Sequence, residues 1–284
     1  MAIARELGAE ILCVDSMQVY RGFDIGTAKA TAAERAEIPH HGIDFVDPRE
    51  YCSAGMFLEQ ARAAVEDCAQ RGVPILAVGG TGLYLKGMLH GLAPTVTAAP
   101  LIRAEMRALE EQAQGAMHAE LKKVDPAAAD RLHPHDLIRI ERAIEVFRVS
   151  GRLISEVQAD HRFRPSPFRF RLFALRRSRE ELRIRVRKRL GAMLASGWPE
   201  EVTRLLAAGI PEGAPAMRAL GYRDVAAHLR GEFDEAELVA RIETQTMRFA
   251  KRQTTWLNRE PSVEWVDPSA DSLAAFVAEV RAFL

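Results

Sequence analysis

Near-continuous apolar runs of five or six residues recur in the first third of the chain: EILCV (10–14), GIDFV (42–46) and VPILAV (73–78). Runs of this length, closed by Asp or Gly, read as strands covered on both faces, as in a parallel sheet. Between the second and third lies SAGMFLEQARAAVEDCAQRG (53–72). There Phe57, Ala61, Ala64, Val65 and Cys68 form an apolar stripe at helical spacing, with Ser53 placed to cap the start and Gly72 the end. Strand, helix and strand in this order predict a right-handed crossover and an open α/β sheet with its site at the strands' carboxyl ends. The opening MAIARELG reads as the tail of a helix, with Leu7 four residues after Ile3 and Gly8 closing it.

After LAPTVTAAP (92–100), a connector of small residues and two prolines, the periodicity becomes helical only. Helices are predicted over 101–114, 116–124, 126–132 and 134–151, with no strand among them. FRFRLFAL (168–175) alternates as a strand does and returns the chain to the sheet; helices follow over 178–196, 198–208, 221–230, 234–258 and 271–283. The expected organisation is a core α/β domain in two parts, 1–95 and 166–284 (the second carrying basic helices), interrupted by a helical insertion domain over 96–165.

Composition narrows the class. No apolar run approaches the roughly 18 to 20 residues of a membrane helix, and no secretory leader is visible, so no membrane partner and a cytoplasmic location are expected. Cys13, Cys52 and Cys68 lack CxxC spacing and read as reduced core thiols rather than a disulfide or zinc framework. The eight histidines, His40-His41 and His133/His135 included, lack a ligand set and read as loop hydrogen-bonding groups. The formal net charge is zero, yet Arg162 to Arg189 holds eleven Arg and one Lys against Glu180 and Glu181, an excess of ten. Such an asymmetry points to an anionic partner on one face, a solvated helix surface being the plain alternative.

Three segments carry candidate chemistry. Strand 10–14 delivers Asp15 to a loop, DSMQVYRGFDIGTAK (15–29), where a carboxylate can accept a proton, bind Mg²⁺ or cap the turn. Ser16 and Gln18 can meet a base edge or satisfy loop backbone. The third strand ends in GGTGLYLKG (79–87), a glycine-rich turn whose backbone N–H groups can approach an anion and where Thr81 presents a hydroxyl. Arginines cluster in IRIER (138–142), with Arg139 and Arg142 on one helix face, and in MRALGYRD (217–224), where Tyr222 can stack or hydrogen-bond. Arg248, Lys251, Arg252 and Arg259 lie near Phe249 and Trp256, a mixture suited to phosphate contacts with base stacking. Salt bridges with Glu141, Glu145 or Asp224, and a core role for the aromatics, are the competing explanations.

In order, DSMQVYRGFDIGTAK, PHHGIDFVDP, YCSAGMF, VGGTGLYLKGMLHGL, MRALGYRD and FAKRQTTWL resemble the tRNA dimethylallyltransferases, also called tRNA isopentenyltransferases, along essentially the whole chain. The resemblance implies a P-loop-kinase-like parallel sheet flanked by helices, with an all-helical insertion domain. It implies transfer of a dimethylallyl group from dimethylallyl diphosphate to N6 of adenosine 37, in the anticodon stem-loop of tRNAs reading codons that begin with U. Mg²⁺ is the implied cofactor, and a monomer the expected state. By the same resemblance Asp15 is the general base and a metal contact, and Thr81 lines the reaction channel. Ser16, Met17 and Gln18 complete a strip that contacts tRNA together with Asp15 and Thr81. Further tRNA contacts fall on Arg103, on Ile138, Arg139, Ile140, Glu141 and Arg142, and on Arg218, Ala219, Leu220, Gly221, Tyr222 and Arg223, with Arg223 also on the diphosphate. Members of the family carry a strand and a GxxxxGK[ST] phosphate loop before the helix whose tail begins this sequence. No Gly-Lys dipeptide occurs here, so the expected core has its first strand and phosphate loop missing. A non-catalytic tRNA-binding remnant and another P-loop-type nucleotide phosphotransferase stand as alternatives.

Overall fold

The computed structural model of the chain describes residues 1–92, 99–160, 168–267 and 270–283. It divides into two compact units, Met1–Met88 with Arg169–Leu284, and Leu89–Phe168.

The first unit opens with α1 (Ala2–Leu7), ended by Gly8 in the left-handed region, and β1 (Glu10–Val14), whose five residues are all buried. Then come α2 (Ala32–Glu37), started by a Thr31/Glu34 capping box, and the two-residue β2 (His40–His41). Ser53 accepts the Met56 N–H and starts α3 (Ala54–Gln70), whose buried stripe is Phe57, Ala61, Ala64 and Cys68. β3 (Ile75–Gly79) and α4 (Gly82–His90) complete this half. The three strands form one parallel sheet in the order β2-β1-β3, with Ile11 opposite His40 and Leu76.

GIDFV was expected to be the second strand, and the structure differs. Pairing stops at His41 because Gly42 has φ +76° and Asp44 φ +57°, which extended backbone does not allow. At Gly42 a side chain would also strike the Cys13 carbonyl, 2.8 Å from an ideal Cβ position. Val46 keeps only a single parallel bridge, to Tyr20. β3 likewise departs from the expectation of two covered faces: it is an edge strand among the described residues, and Val78 is 50% exposed.

The second unit is helical. It contains α5 (Pro100–Gln112), α6 (Ala116–Val124), α7 (Pro126–Ala129), α8 (Leu137–Ser150) and α9 (Ile154–Asp160). Its core joins Met106, Met117, Leu121, Ile140, Ile144 and Val157. The buried Asp125 ties it together, its Oδ1 accepting the Ala128 N–H and its Oδ2 the Ser155 N–H. Most of the connector 92–100 lies outside the described residues.

The chain re-enters the first unit through β4 (Leu172–Leu175), α10 (Arg179–Ala195), α11 (Trp198–Ala207), a 3₁₀ turn (Ala216–Arg218), α12 (Tyr222–Leu229) and α13 (Glu235–Leu257). β5 (Val263–Val266) and α14 (Ala270–Phe283) follow. β5 was not expected from VEWV, which is too short and too charged for a periodicity to emerge; it is specified by parallel pairing with β4. The core of the unit gathers Leu12, Val14, Phe23, Phe57 and Tyr84 with Trp198, Met217, Tyr222 and Leu238. Residues far apart in sequence thereby meet behind the carboxyl end of β1.

Candidate active site at the carboxyl end of the first strand

Val14 ends β1, and its carbonyl accepts N–H groups from both Gly80 and Thr81, joining the turn after β3 to the loop after β1. Those two N–H groups are therefore spent inside the protein and do not offer themselves to an anion, as the glycine-rich turn had suggested. What the turn presents instead is the Thr81 hydroxyl, which accepts the Ser16 N–H at 3.0 Å and lies 3.5 Å from the Ser16 hydroxyl. Gln253 of α13 closes the turn from behind by donating to the Gly80 carbonyl at 3.1 Å.

Asp15 stands at the centre. Its Oδ1 accepts the Met17 N–H at 2.7 Å and the Gln18 N–H at 3.3 Å, so the carboxylate caps its own turn with one oxygen. Oδ2 has no hydrogen-bond partner among the described residues, and the side chains of Asp15, Ser16, Met17 and Gln18 are all half-buried. A carboxylate fixed by one oxygen and open at the other is an oriented acceptor. The Gln18 amide donates to the carbonyls of Thr27 and Ala28, which settles its alternatives toward loop backbone on the donor side.

The loop itself is held from two directions. Lys29 is buried and its Nζ donates to the Tyr20 carbonyl, to Asp24 and to Asp44 at 2.6 to 2.7 Å. Glu201 of α11, also buried, accepts the N–H groups of Asp24, Ile25 and Gly26. Neither residue stood out in the sequence. The signal for Glu201 was a carboxylate on the apolar stripe of its helix, three residues after Trp198 and four before Leu205.

From MRALGYRD the structure draws two kinds of residue. Arg223 is exposed and has no ion-pair partner among the described residues, and Arg218 stacks over Tyr51 and bonds its hydroxyl. Ala219, Gly221 and Tyr222 are buried, Leu220 partly so. Burial pushes the Tyr222 phenol far above its ordinary range, so it stays protonated and donates to Glu201 at 2.6 Å. Tyr222 is thus a packing group and not a surface for stacking a base.

In the helical unit Arg103, Arg139 and Arg142 are engaged with carboxylates. Glu145 is buried and accepts from Arg103, Arg142 and the Ala99 N–H; burial alone would raise its pKa, but these donors bring it down to about 2. Glu141 takes Arg107 and Arg103, Arg139 pairs with Asp136, Ile140 is in the core and Ile138 is 76% exposed. In the first unit Arg183 and Arg187 pair with Glu243, while Arg162 and Arg164 lie outside the described residues. Glu10, His41 and Cys68 meet although no spacing announced it, and Arg71 donates to both Glu10 oxygens and to the Cys68 sulfur.

The model for the IPP transferase family matches residues 18–260. The chain belongs to that family. An IPP transferase of this length has close relatives: it is 44% identical over 271 residues to the tRNA dimethylallyltransferase of Geobacter metallireducens, covering 94% of this chain and 87% of the relative. To that of Anaeromyxobacter dehalogenans strain 2CP-1 it is 46% identical over 288 residues, with 99% and 92% covered. Among solved structures, the full-length tRNA isopentenylpyrophosphate transferase of Bacillus halodurans is 32% identical with a TM-score of 0.69, covering 99% of this chain and 89% of that one. A eukaryotic dimethylallyltransferase acting on tRNA gives 25% identity and a TM-score of 0.82, with 99% and 72% covered. The α/β fold read from the sequence is that of these IPP transferases.

Proposed function

We propose that this IPP transferase moves a dimethylallyl group from dimethylallyl diphosphate to N6 of adenosine 37 in tRNAs reading codons that begin with U. The observation that carries the reading is the Asp15 carboxylate, fixed by one oxygen and open at the other, beside the linked hydroxyls of Thr81 and Ser16. The N6 lone pair of adenine is delocalised into the ring, so its attack needs a base to take the N–H proton as the new C–N bond forms. Asp15 Oδ2 accepts that proton while the allylic C–O bond breaks and diphosphate leaves. Arg223, exposed and without an ion-pair partner among the described residues, is suited to bidentate contact with the departing anion. A base inside a folded RNA must leave its stack first, at a cost of a few kcal/mol recovered from protein contacts.

Asp15 with the Ser16 and Thr81 hydroxyls makes a set of hard oxygen donors that fits Mg²⁺, which binds through one or two carboxylates and fills its shell with water and substrate phosphate. Bound there, Mg²⁺ would neutralise charge on the diphosphate. The chain is expected to act as a monomer on the anticodon stem-loop.

The test is nucleoside analysis of tRNA incubated with the protein and labelled dimethylallyl diphosphate, with labelled ATP in parallel. Label in N6-dimethylallyladenosine supports the reading. Salt-sensitive tRNA binding without modified adenosine favours a binding protein, and label passing from ATP favours a phosphotransferase.

A further inference from the structure

We infer that Glu201 is a positioning residue of this site, a buried carboxylate that locks the loop 23–28 to Tyr222 and so sets Gln18 and the Asp15 turn against the segment that carries Arg223. The inference rests on the transferase reading given above. Glu201 Oε2 accepts the Asp24 N–H at 3.1 Å and the Ile25 N–H at 2.7 Å, and Oε1 accepts the Gly26 N–H at 3.4 Å and the Tyr222 hydroxyl at 2.6 Å. The residue is 3% exposed, and its charge is met by consecutive backbone dipoles and a phenol, with no Lys or Arg ion pair of its own among the described residues. Successive N–H groups converging on one anion form a rigid concavity, so the carboxylate dictates the path of the loop.

The path then matters at the site. Loop 23–28 presents the Thr27 and Ala28 carbonyls to the Gln18 amide at 3.0 and 3.3 Å. Gln18 also donates its own N–H to Asp15 Oδ1. From the other side the phenol that Glu201 holds belongs to the residue next to Arg223, at the start of α12. The loop can come this close only because residue 26 is Gly: a Cβ there would lie 2.2 Å from the Trp198 ring nitrogen and 2.6 Å from the Tyr222 ring. One carboxylate therefore sets the distance between the base-handling turn and the diphosphate-facing helix start, without touching either substrate. A shift of about 1 Å in such an arrangement is enough to cost on the order of a hundredfold in rate.

The experiment uses the full chain with Glu201→Gln and Tyr222→Phe. Amide hydrogen exchange over residues 21–29 tests the lock without reference to activity. Glu201→Gln, which puts an N–H₂ donor where acceptors are needed, is expected to raise exchange there at least tenfold, and unchanged exchange would overturn the lock. Single-turnover transfer, measured at a temperature where circular dichroism shows each variant folded, tests the role. For Glu201→Gln the rate is expected to fall tenfold to a hundredfold while the anticodon stem-loop Kd moves less than threefold. Tyr222→Phe should give a smaller loss, and in the double variant the two losses should not multiply. A wild-type single-turnover rate in folded Glu201→Gln would overturn the positioning role. Raised exchange in Glu201→Gln, together with a wild-type protein that modifies no tRNA, would instead locate the failure in the transferase reading, with the lock intact.

Discussion

The Thr81 hydroxyl accepts the backbone N–H of Ser16 across 65 residues of sequence, joining the loop after β1 to the turn after β3 at the point where their strands end. Thr81→Val keeps the shape but removes the acceptor. It is expected to cost about 1 to 3 kcal/mol through the unsatisfied Ser16 N–H, and to lower transfer at least tenfold. Thr81→Ser restores the hydroxyl and should recover most of both. Thermal unfolding and initial rates measured together check this, and a Val variant with wild-type rate would remove Thr81 from the channel.

Asp15 holds its turn with Oδ1 and offers Oδ2, so the two functions are separable by substitution. Asp15→Asn keeps an oxygen to cap the turn and loses the proton acceptor. Transfer should fall by about 10² to 10⁴-fold, the usual worth of a general base, with tRNA binding within a few-fold of wild type and little change in thermal midpoint. Single-turnover kinetics beside gel-shift titration distinguishes this from a binding defect, which would refute the assignment.

Arg223 is exposed and has no ion-pair partner among the described residues. Arg223→Ala is expected to leave stability within about 0.5 kcal/mol of wild type, as for other exposed surface changes. Its KM for dimethylallyl diphosphate should rise at least tenfold, and Lys should restore only part, since it lacks the bidentate fork. A KM unchanged in the Ala variant would take Arg223 off the diphosphate.

In the helical unit Glu145 is buried and held near pKa 2 by Arg103, Arg142 and the Ala99 N–H against the burial that opposes them. Its ordinary pKa is about 4.3. A carboxylate with a depressed folded-state pKa contributes stability that is present above its unfolded pKa and is lost as pH falls through the folded one. Acid should therefore weaken this unit between about pH 4.5 and 2. Glu145→Gln is expected to cost about 1.5 to 3 kcal/mol at neutral pH by replacing the charged acceptor of Arg103, Arg142 and the Ala99 N–H with a neutral amide, and to flatten the acid dependence. Chemical denaturation at pH 7 and at pH 3 measures both.

Local pattern was enough to determine the elements whose cues lie within a few residues. Ser53 caps the helix it precedes, Gly8 ends its own, and EILCV is the fully buried strand its composition demands. The family, too, was legible in the ordered motifs, and the family model matches residues 18–260. What tertiary structure decided is what depends on partners distant in sequence. GIDFV reads as a strand by its apolar residues, yet left-handed backbone at Gly42 and Asp44 ends the pairing at His41. VEWV carries too little pattern and becomes a strand because β4 lies beside it. Glu201 and Lys29 look like ordinary surface charges until the fold buries them against backbone groups that water can no longer satisfy. Tyr222 reads as a stacking or hydrogen-bonding group beside arginines, and packing turns it inward, where it donates to Glu201. A periodicity records which face of an element avoids water. Only the assembled core determines which polar groups must then find each other inside it.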